Sequence, residues 1–294
     1  MSPSDLEKMP RMLTAWKAEA PVQGLAVARQ ARTALLRTGG RVLEHWSDTG
    51  ERIARWRCPE GVVAADVSDD GSTVVVATER NVLYWCNAQL EPAVCIDAPN
   101  GLVNVAIDGD GWYAMATAST GDLVIVERNG HIVPGRPAPQ PPHYVEAGLE
   151  TPCWYAASRL GGVSVYDMAG KTLWHRNAMC PVADMAVSAS GNTIMLAGLG
   201  MGVLRFGAEG NELVPWATPE PVTQVSVTAD GRKTLAVSAS GTIWLIGPPQ
   251  PPREVCAMSE PIAGAQIGPL GDFAWLALQS GRCAIVELRD GAAG

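Results

Sequence analysis

The most constraining feature of this sequence is a repeat with a period of forty residues. A segment that opens on Pro or Gly and continues with alternating apolar residues recurs, for example at 21–27, 61–67, 181–187 and 221–227. One apolar column contains Val27, Val67, Ile107, Ala147, Val187, Val227 and Ile267. A second contains Leu43, Leu83, Leu123, Val163, Val203, Ile243 and Cys283. A period that persists along the chain predicts an array of similar units rather than one irregular core.

Within each unit the apolar residues alternate with a period of two, which is typical of β-strands. The unit 221–260 contains four such runs, separated by turn residues such as Asp230-Gly231 and Ser240-Gly241. A column of glycines marks one turn, with Ala31 and Thr151 as exceptions: Gly71, Gly111, Gly191, Gly231 and Gly271. Such a column indicates a tight turn that needs positive φ. Each unit is therefore predicted to be a four-stranded antiparallel sheet, with strands A to D.

Seven four-stranded units predict an all-β fold, a seven-bladed β-propeller. We expect a single propeller domain over 1–294, with blades that start near residues 21, 61, 101, 143, 181, 221 and 261. The last unit has only three strands. The segment Leu13–Pro21 aligns with Leu213–Pro221, which contains a strand D, so residues 10–20 are expected to supply an outer strand. The N-terminal strand is therefore predicted to complete the last blade and close the ring.

The repeat resembles the WD40 superfamily over about residues 10–291. The Gly-His dipeptide of that family is absent, and its Trp-Asp is matched loosely by Val165-Tyr166-Asp167. The hairpin from Val165 to Trp174 is also similar to quinoprotein-type (PQQ-like) repeats. The resemblance implies a rigid platform for protein–protein contacts, usually without catalysis.

Composition narrows the class of partner and the compartment. There are 22 basic and 30 acidic residues, with a net charge of −8 and no basic segment, which argues against nucleic acid or an anionic membrane surface. The N-terminus has no apolar signal region, and no apolar run approaches the ~18 residues of a membrane span. The seven cysteines include no C-x-x-C pair. We expect a cytoplasmic protein with reduced thiols.

The residues that could carry chemistry do not converge. No two of His45, His131, His143 and His175 share a phase within the repeat, and neither do any two cysteines, so no metal site or cofactor is expected. Asp69-Asp70 and Asp108-Gly109-Asp110 precede turn glycines and are interpreted as turn residues. Gly198–Gly202 lies between two strands and is interpreted as a β-turn rather than a phosphate loop. The sequence predicts no catalytic residue.

Aromatic and proline residues cluster at strand D, the outer strand. Trp16, Trp56 and Trp216 share one column and are expected to be half-buried between outer strands. Proline tracts at 137–142 and 248–252 suit an edge strand, because proline donates no ladder hydrogen bond. Such tracts are also the kind of ligand that SH3-like domains bind.

Strands A are expected to line a central channel. Most of their positions are apolar, and the polar exceptions are Asp66, Asn104, Glu146, Asp184, Gln224 and Gln266. A mixed set of acids and amides could bind a cation. This leaves two alternative functions open: a propeller enzyme with a cofactor or metal in the channel, or a sensor of a small ligand.

The main expectation is a non-catalytic scaffold or adaptor, a subunit of a larger cytoplasmic assembly whose partners are proteins. The D–A and B–C loops should open on one end of the propeller, where small residues surround a few Arg and apolar residues. The residues predicted to bind a partner there are Arg37, Glu79, Arg80, Arg159, Leu160, Leu199 and Met201. The opposite end should be acidic and well solvated.

Overall fold

The computed structural model describes residues 10–134, 138–247 and 249–288. Over these residues the chain forms 28 strands and no helix. The strands build seven four-stranded antiparallel sheets arranged as a propeller, which confirms the predicted fold class. The described residues do not include Pro137 and Pro248, the first residues of the two proline tracts. They also do not include 289–291, at the end of the last repeat unit.

Blades 1 to 3 are three consecutive meanders. Blade 1 contains β2 (Val22–Ala28), β3 (Thr33–Thr38), β4 (Val42–Ser47) and β5 (Arg52–Arg57). Blade 2 contains β6 (Val62–Val67), β7 (Thr73–Thr78), β8 (Val82–Asn87) and β9 (Pro92–Asp97). Blade 3 contains β10 (Leu102–Ile107), β11 (Tyr113–Ala118), β12 (Leu123–Glu127) and β13 (Ile132–Pro134).

Blades 4 to 6 repeat this order. Blade 4 contains β14 (Tyr144–Ala147), β15 (Cys153–Ala157), β16 (Gly162–Asp167) and β17 (Thr172–Asn177). Blade 5 contains β18 (Val182–Val187), β19 (Thr193–Gly198), β20 (Gly202–Gly207) and β21 (Glu212–Trp216). Blade 6 contains β22 (Val222–Val227), β23 (Thr234–Ser238), β24 (Thr242–Gly247) and β25 (Gln250–Ala257). Pro251 and Pro252 thus lie in an outer strand, as predicted.

Blade 7 is completed by the N-terminus of the chain. Its inner strands are β26 (Ile262–Ile267), β27 (Phe273–Leu278) and β28 (Arg282–Glu287), and its outer strand is β1 (Met12–Lys17). β1 pairs antiparallel with β28, placing Trp16 opposite Cys283 and Ala15 opposite Ala284. The predicted closure of the ring is therefore confirmed.

The hydrophobic core lies between blades rather than within them. Each buried cluster joins residues of two neighbouring blades, such as Val75 and Trp85 of blade 2 with Val105 and Val126 of blade 3. A four-stranded sheet exposes two apolar faces and can bury them only by packing on its neighbours. Each strand A also contacts strand A of the next blade, and β26 contacts β2. The ring of inner strands is thereby continuous.

The junction between blades 7 and 1 is rich in aromatic side chains. Trp16 of β1 packs against Trp46 at 5.9 Å and against Trp275 at 5.7 Å between ring centroids. Beside it the fully buried carboxylate of Glu44 accepts the Trp46 Nε1–H at 3.1 Å and the Glu19 backbone N–H at 3.3 Å. This carboxylate holds the connection that follows β1 in place.

The turn column behaves as predicted, since its five glycines have φ between 69° and 75°. We expect Gly111→Ala to lower the free energy of unfolding by about 1.5 kcal/mol, because a Cβ is disfavoured at positive φ. That Cβ would also lie 2.7 Å from the Thr73 side chain. Gly200→Ala is the control, since no heavy atom lies within 4 Å of its Cβ position. Urea unfolding that gave both variants wild-type stability would contradict the argument.

Candidate interaction face and central channel

Antiparallel order places the D–A and B–C loops at one end of the propeller, here called the D–A/B–C face. In the described loops of this face, the exposed large apolar side chains are Leu160 (75% exposed), Met179 (86%), Leu199 (44%) and Met201 (45%). All four belong to blades 4 and 5 or to the loop between them. We call these four residues the apolar patch.

The apolar patch is contiguous because hydrogen bonds join its three loops. The Ala178 N–H donates to the Gly161 carbonyl at 2.7 Å, joining the loop of Met179 to the loop of Leu160. The Leu199 N–H donates to the Pro181 carbonyl at 3.1 Å, joining the loop of Met179 to that of Leu199 and Met201. The patch therefore lies on a backbone held in place on both sides.

Four residues of the predicted partner surface come together here: Arg159, Leu160, Leu199 and Met201. The sequence reasoning missed Met179. A signal for it exists, because the same phase of the D–A loops is Pro at 59, 99, 139 and 219, whereas it is the large apolar Met179 before blade 5. Comparing loops by phase would have marked this loop as different.

The other three predicted residues lie apart from the patch. Arg37 lies within β3, and its guanidinium donates to the carbonyls of Val62 and Gln23, each at 3.0 Å. Arg37 therefore lies beside the B–C loop of blade 1 rather than in it, and burial lowers its pKa. Glu79 and Arg80 are exposed in the B–C loop of blade 2. Partner binding by any of the seven residues stays a prediction.

The seven inner strands line a central cavity of about 530 Å³. All six polar residues predicted to face the channel do line it: Asp66, Asn104, Glu146, Asp184, Gln224 and Gln266. Arg29, in the A–B loop of blade 1, lines it as well. The cavity is thus polar at positions where neighbouring blades approach one another.

Five of these six side chains tie one blade to the next. Carboxylates of blades 2 and 5 accept backbone N–H groups: Asp66 from Ile107 at 3.0 Å and Asp184 from Val225 at 2.9 Å. Amides of blades 3, 6 and 7 donate to carbonyls: Asn104 to His143 at 3.0 Å, Gln224 to Ile262 at 3.0 Å and Gln266 to Leu25 at 3.5 Å. The last bond crosses the ring closure. These side chains form hydrogen bonds with backbone N–H and C=O groups at the unpaired edges of the inner strands.

Glu146 is the sixth residue, and no hydrogen bond of its carboxylate is found within the described residues. Loss of solvation, reinforced by the charges of Asp66 and Asp184, raises the pKa of Glu146 to about 8, while Arg29 opposes the rise. Burial likewise raises the pKa of Asp66 to about 6 and that of Asp184 to about 7. The three channel carboxylates therefore titrate near neutral pH.

The part of the chain that the structure describes contains no group of three or more His, Cys, Asp or Glu side chains that could hold a metal ion. His45 is buried, with its ring nitrogens 2.8 Å from the Ala88 carbonyl and from the Thr33 hydroxyl. Since a carbonyl only accepts, Nδ1 carries the proton and Nε2 accepts from Thr33. Burial lowers the pKa of His45. The hydrogen bond from its Nδ1 to the Ala88 carbonyl fixes blade 1 to the C–D turn of blade 2.

At the opposite end of the propeller, the acidic residues act in turns. The Asp108 carboxylate accepts the backbone N–H groups of Trp112 and Tyr113 at 2.7 and 2.9 Å, which confirms the turn interpretation. Trp112 (60% exposed) and Leu270 (80% exposed) also lie at this end, in the A–B loops of blades 3 and 7. Leu149, 36% exposed, lies in the A–B loop of blade 4, next to the loop of Trp112, so exposed apolar residues at this end occupy two neighbouring loops and one distant loop, whereas the apolar patch joins four residues in three neighbouring loops.

The fold defines this chain as a seven-bladed β-propeller. No protein-family model matches the sequence, and no curated protein shows significant similarity to it. None of the described residues forms a helix long and apolar enough to cross a lipid bilayer.

Proposed function

We propose that this chain is a non-catalytic protein-interaction scaffold that binds a partner protein through the apolar patch, as a subunit of a larger assembly. One observation carries the proposal: in the described loops of the D–A/B–C face, the exposed large apolar side chains all lie in three hydrogen-bonded loops of blades 4 and 5. Contiguous exposed apolar surface on a rigid support is a feature of protein-binding sites. The WD40-like character and the cytoplasmic location are part of the same proposal.

The use of the channel side chains favours this proposal over a channel enzyme or a small-ligand sensor. Asp66, Asp184 and Gln224 each hold the next blade by a hydrogen bond to its backbone. Because these side chains already form hydrogen bonds within the protein, they have less capacity left to bind a ligand. The apolar patch has no comparable structural use, because its side chains point into solvent.

The test is a tagged purification from the native cell, with Leu160→Ser/Met179→Ser/Met201→Ser beside the wild type. We expect a stoichiometric partner with the wild type and at least a tenfold lower affinity of the purified partner for the triple variant. Val214→Ser/Leu270→Ser is the matched control, since these side chains are 79% and 80% exposed elsewhere on the molecule. Equal affinity of both variants, or no partner at all, would contradict the proposal.

A further inference from the structure

The loops around the apolar patch carry a different charge from the rest of the D–A/B–C face. Elsewhere, the described D–A and B–C loops carry carboxylates at Glu19, Glu60, Glu79, Asp122, Glu220 and Glu260. Between Asp122 and Glu220, the described D–A and B–C loops contain none. The face is thus divided into an acidic sector and a sector that is apolar and free of carboxylates in its described loops.

Two arginines accompany the apolar patch. Arg159 immediately precedes Leu160, and Arg176, near the end of β17, comes three residues before Met179. Both are exposed, and neither forms an ion pair with another described residue. By contrast, Arg52 and Arg282 are paired with the loop carboxylates Glu19 and Glu260. The Arg176 guanidinium donates to the His175 carbonyl at 2.9 Å and that of Arg159 interacts with the Tyr144 hydroxyl, so each keeps further N–H donors, and a charge not paired with a described carboxylate, for a partner.

We propose that the apolar patch, with Arg159 and Arg176, receives an acidic amphipathic segment of a partner protein, in which apolar side chains alternate with Asp or Glu. This inference rests on the proposed function and specifies the chemistry of its partner. The apolar side chains of the segment lose water against Leu160, Met179 and Met201, and its carboxylates pair with the guanidinium groups. Two of the four patch residues are methionines, whose flexible side chains fit a partner of irregular shape.

The acidic sector supplies the other half of the specificity. A segment that carries carboxylates is repelled by Glu60, Glu79 and Glu220, so its favourable position on this face is the patch. A basic segment would be attracted to those glutamates instead and repelled by Arg159 and Arg176. The same division disfavours an anionic lipid surface, because a flat membrane on this face would meet the glutamates along with the arginines.

The test is a selection of random peptides displayed on phage. Peptides are selected on the wild-type protein and counter-selected on Leu160→Ser/Met179→Ser, so that the retained peptides depend on the patch. We expect them to be rich in Leu, Phe, Asp and Glu. Synthetic copies should bind Arg159→Glu/Arg176→Glu at least tenfold more weakly, and should weaken at high salt. Arg80→Glu is the charge control on the same face and should leave the affinity unchanged within about twofold.

The outcomes separate this inference from the proposed function. Patch-dependent peptides that are neutral or basic, and insensitive to Arg159→Glu/Arg176→Glu, would overturn the inference and leave the scaffold proposal standing. Peptides that bind both the wild type and Leu160→Ser/Met179→Ser, or no enriched peptide, would also overturn it. Patch-dependent binding to phosphatidylserine vesicles without any peptide binding would reassign the patch to a membrane surface and contradict both proposals.

Discussion

Replacing Trp16 with alanine should lower the free energy of unfolding by about 3 kcal/mol, a loss typical of large-to-small changes at packed aromatic residues. The indole of Trp16 packs against Trp46 of blade 1 and Trp275 of blade 7, so the substitution leaves a cavity at the one junction that joins the two ends of the chain. Chemical denaturation monitored by circular dichroism measures the effect.

Truncation of residues 1–20 tests the same junction more severely. It removes β1, leaves the outer edge of β28 unpaired, and deletes the Ala18 N–H that donates to the Gly281 carbonyl at 2.8 Å. An unpaired sheet edge and an exposed aromatic cluster both promote association of chains. We expect the truncated chain to lack a cooperative unfolding transition and to aggregate.

The control for Trp16→Ala is Trp112→Ala, which removes a side chain of the same size that is 60% exposed. The Arg128 guanidinium lies 5.8 Å from the centroid of the Trp112 ring. Since most of the ring is exposed, its removal loses few other contacts. We expect a change within about 0.5 kcal/mol. If Trp16→Ala were no more damaging than Trp112→Ala, or if the truncated chain unfolded cooperatively at the wild-type midpoint, β1 would not be the strand that closes the ring.

The closure could be predicted from the sequence because it depends on periodicity alone. Leu13–Pro21 keeps the phase of Leu213–Pro221, so the position of β1 in a blade follows by counting. The same holds for the turn glycines, whose positive φ is required by the local backbone and not by distant contacts. Features set by the repeat could therefore be predicted together with their positions in the blades.

The interaction face could be predicted only in part, because it depends on departures from the repeat. The exposed positions Leu160, Leu199 and Met201 followed from their phase in the B–C loops. Phase does not show that the Arg37 side chain donates to the Val62 carbonyl of the next blade. The bond from Asp66 to Ile107 was equally hidden, since a pairing between blades depends on the distance between strands and not on sequence spacing.

The structure has a second consequence for stability, which concerns pH. We expect the free energy of unfolding to fall by about 2 kcal/mol from pH 6 to pH 8. Asp184 and Glu146 keep their protons in the folded state up to pKa values of about 7 and about 8, whereas in the unfolded chain they ionise near pH 4. Between these values the folded state binds more protons, so raising the pH favours unfolding. Solvent in the open channel moderates the effect.

The remaining titrating groups act in other pH ranges or in the opposite direction. The lowered pKa of His45 reduces stability only as the pH falls, and the lowered pKa of Asp230 does so in strong acid. Burial raises the pKa of Cys256 to about 11, so this residue destabilises the fold progressively from about pH 8.5, where the thiol ionises in the unfolded chain, up to pH 11, which lies above the interval considered. A loss of stability as the pH rises from 6 to 8 is therefore attributed to the channel carboxylates, because His45 acts in the opposite direction over this interval.

Glu146→Gln is the decisive variant, because it removes the channel carboxyl whose pKa is raised furthest without breaking any described hydrogen bond. We expect it to be more stable than the wild type at both pH values, with an advantage about 1 kcal/mol larger at pH 8 than at pH 6, because the wild-type carboxyl costs more stability as the pH rises from 4 to 8. Glu150→Gln, four residues away in an exposed turn, is the control and should follow the wild-type profile at both pH values. Parallel urea unfolding curves for the three proteins measure this. A Glu146→Gln profile as steep as that of the wild type would show that Glu146 ionises normally, because the channel then solvates it fully.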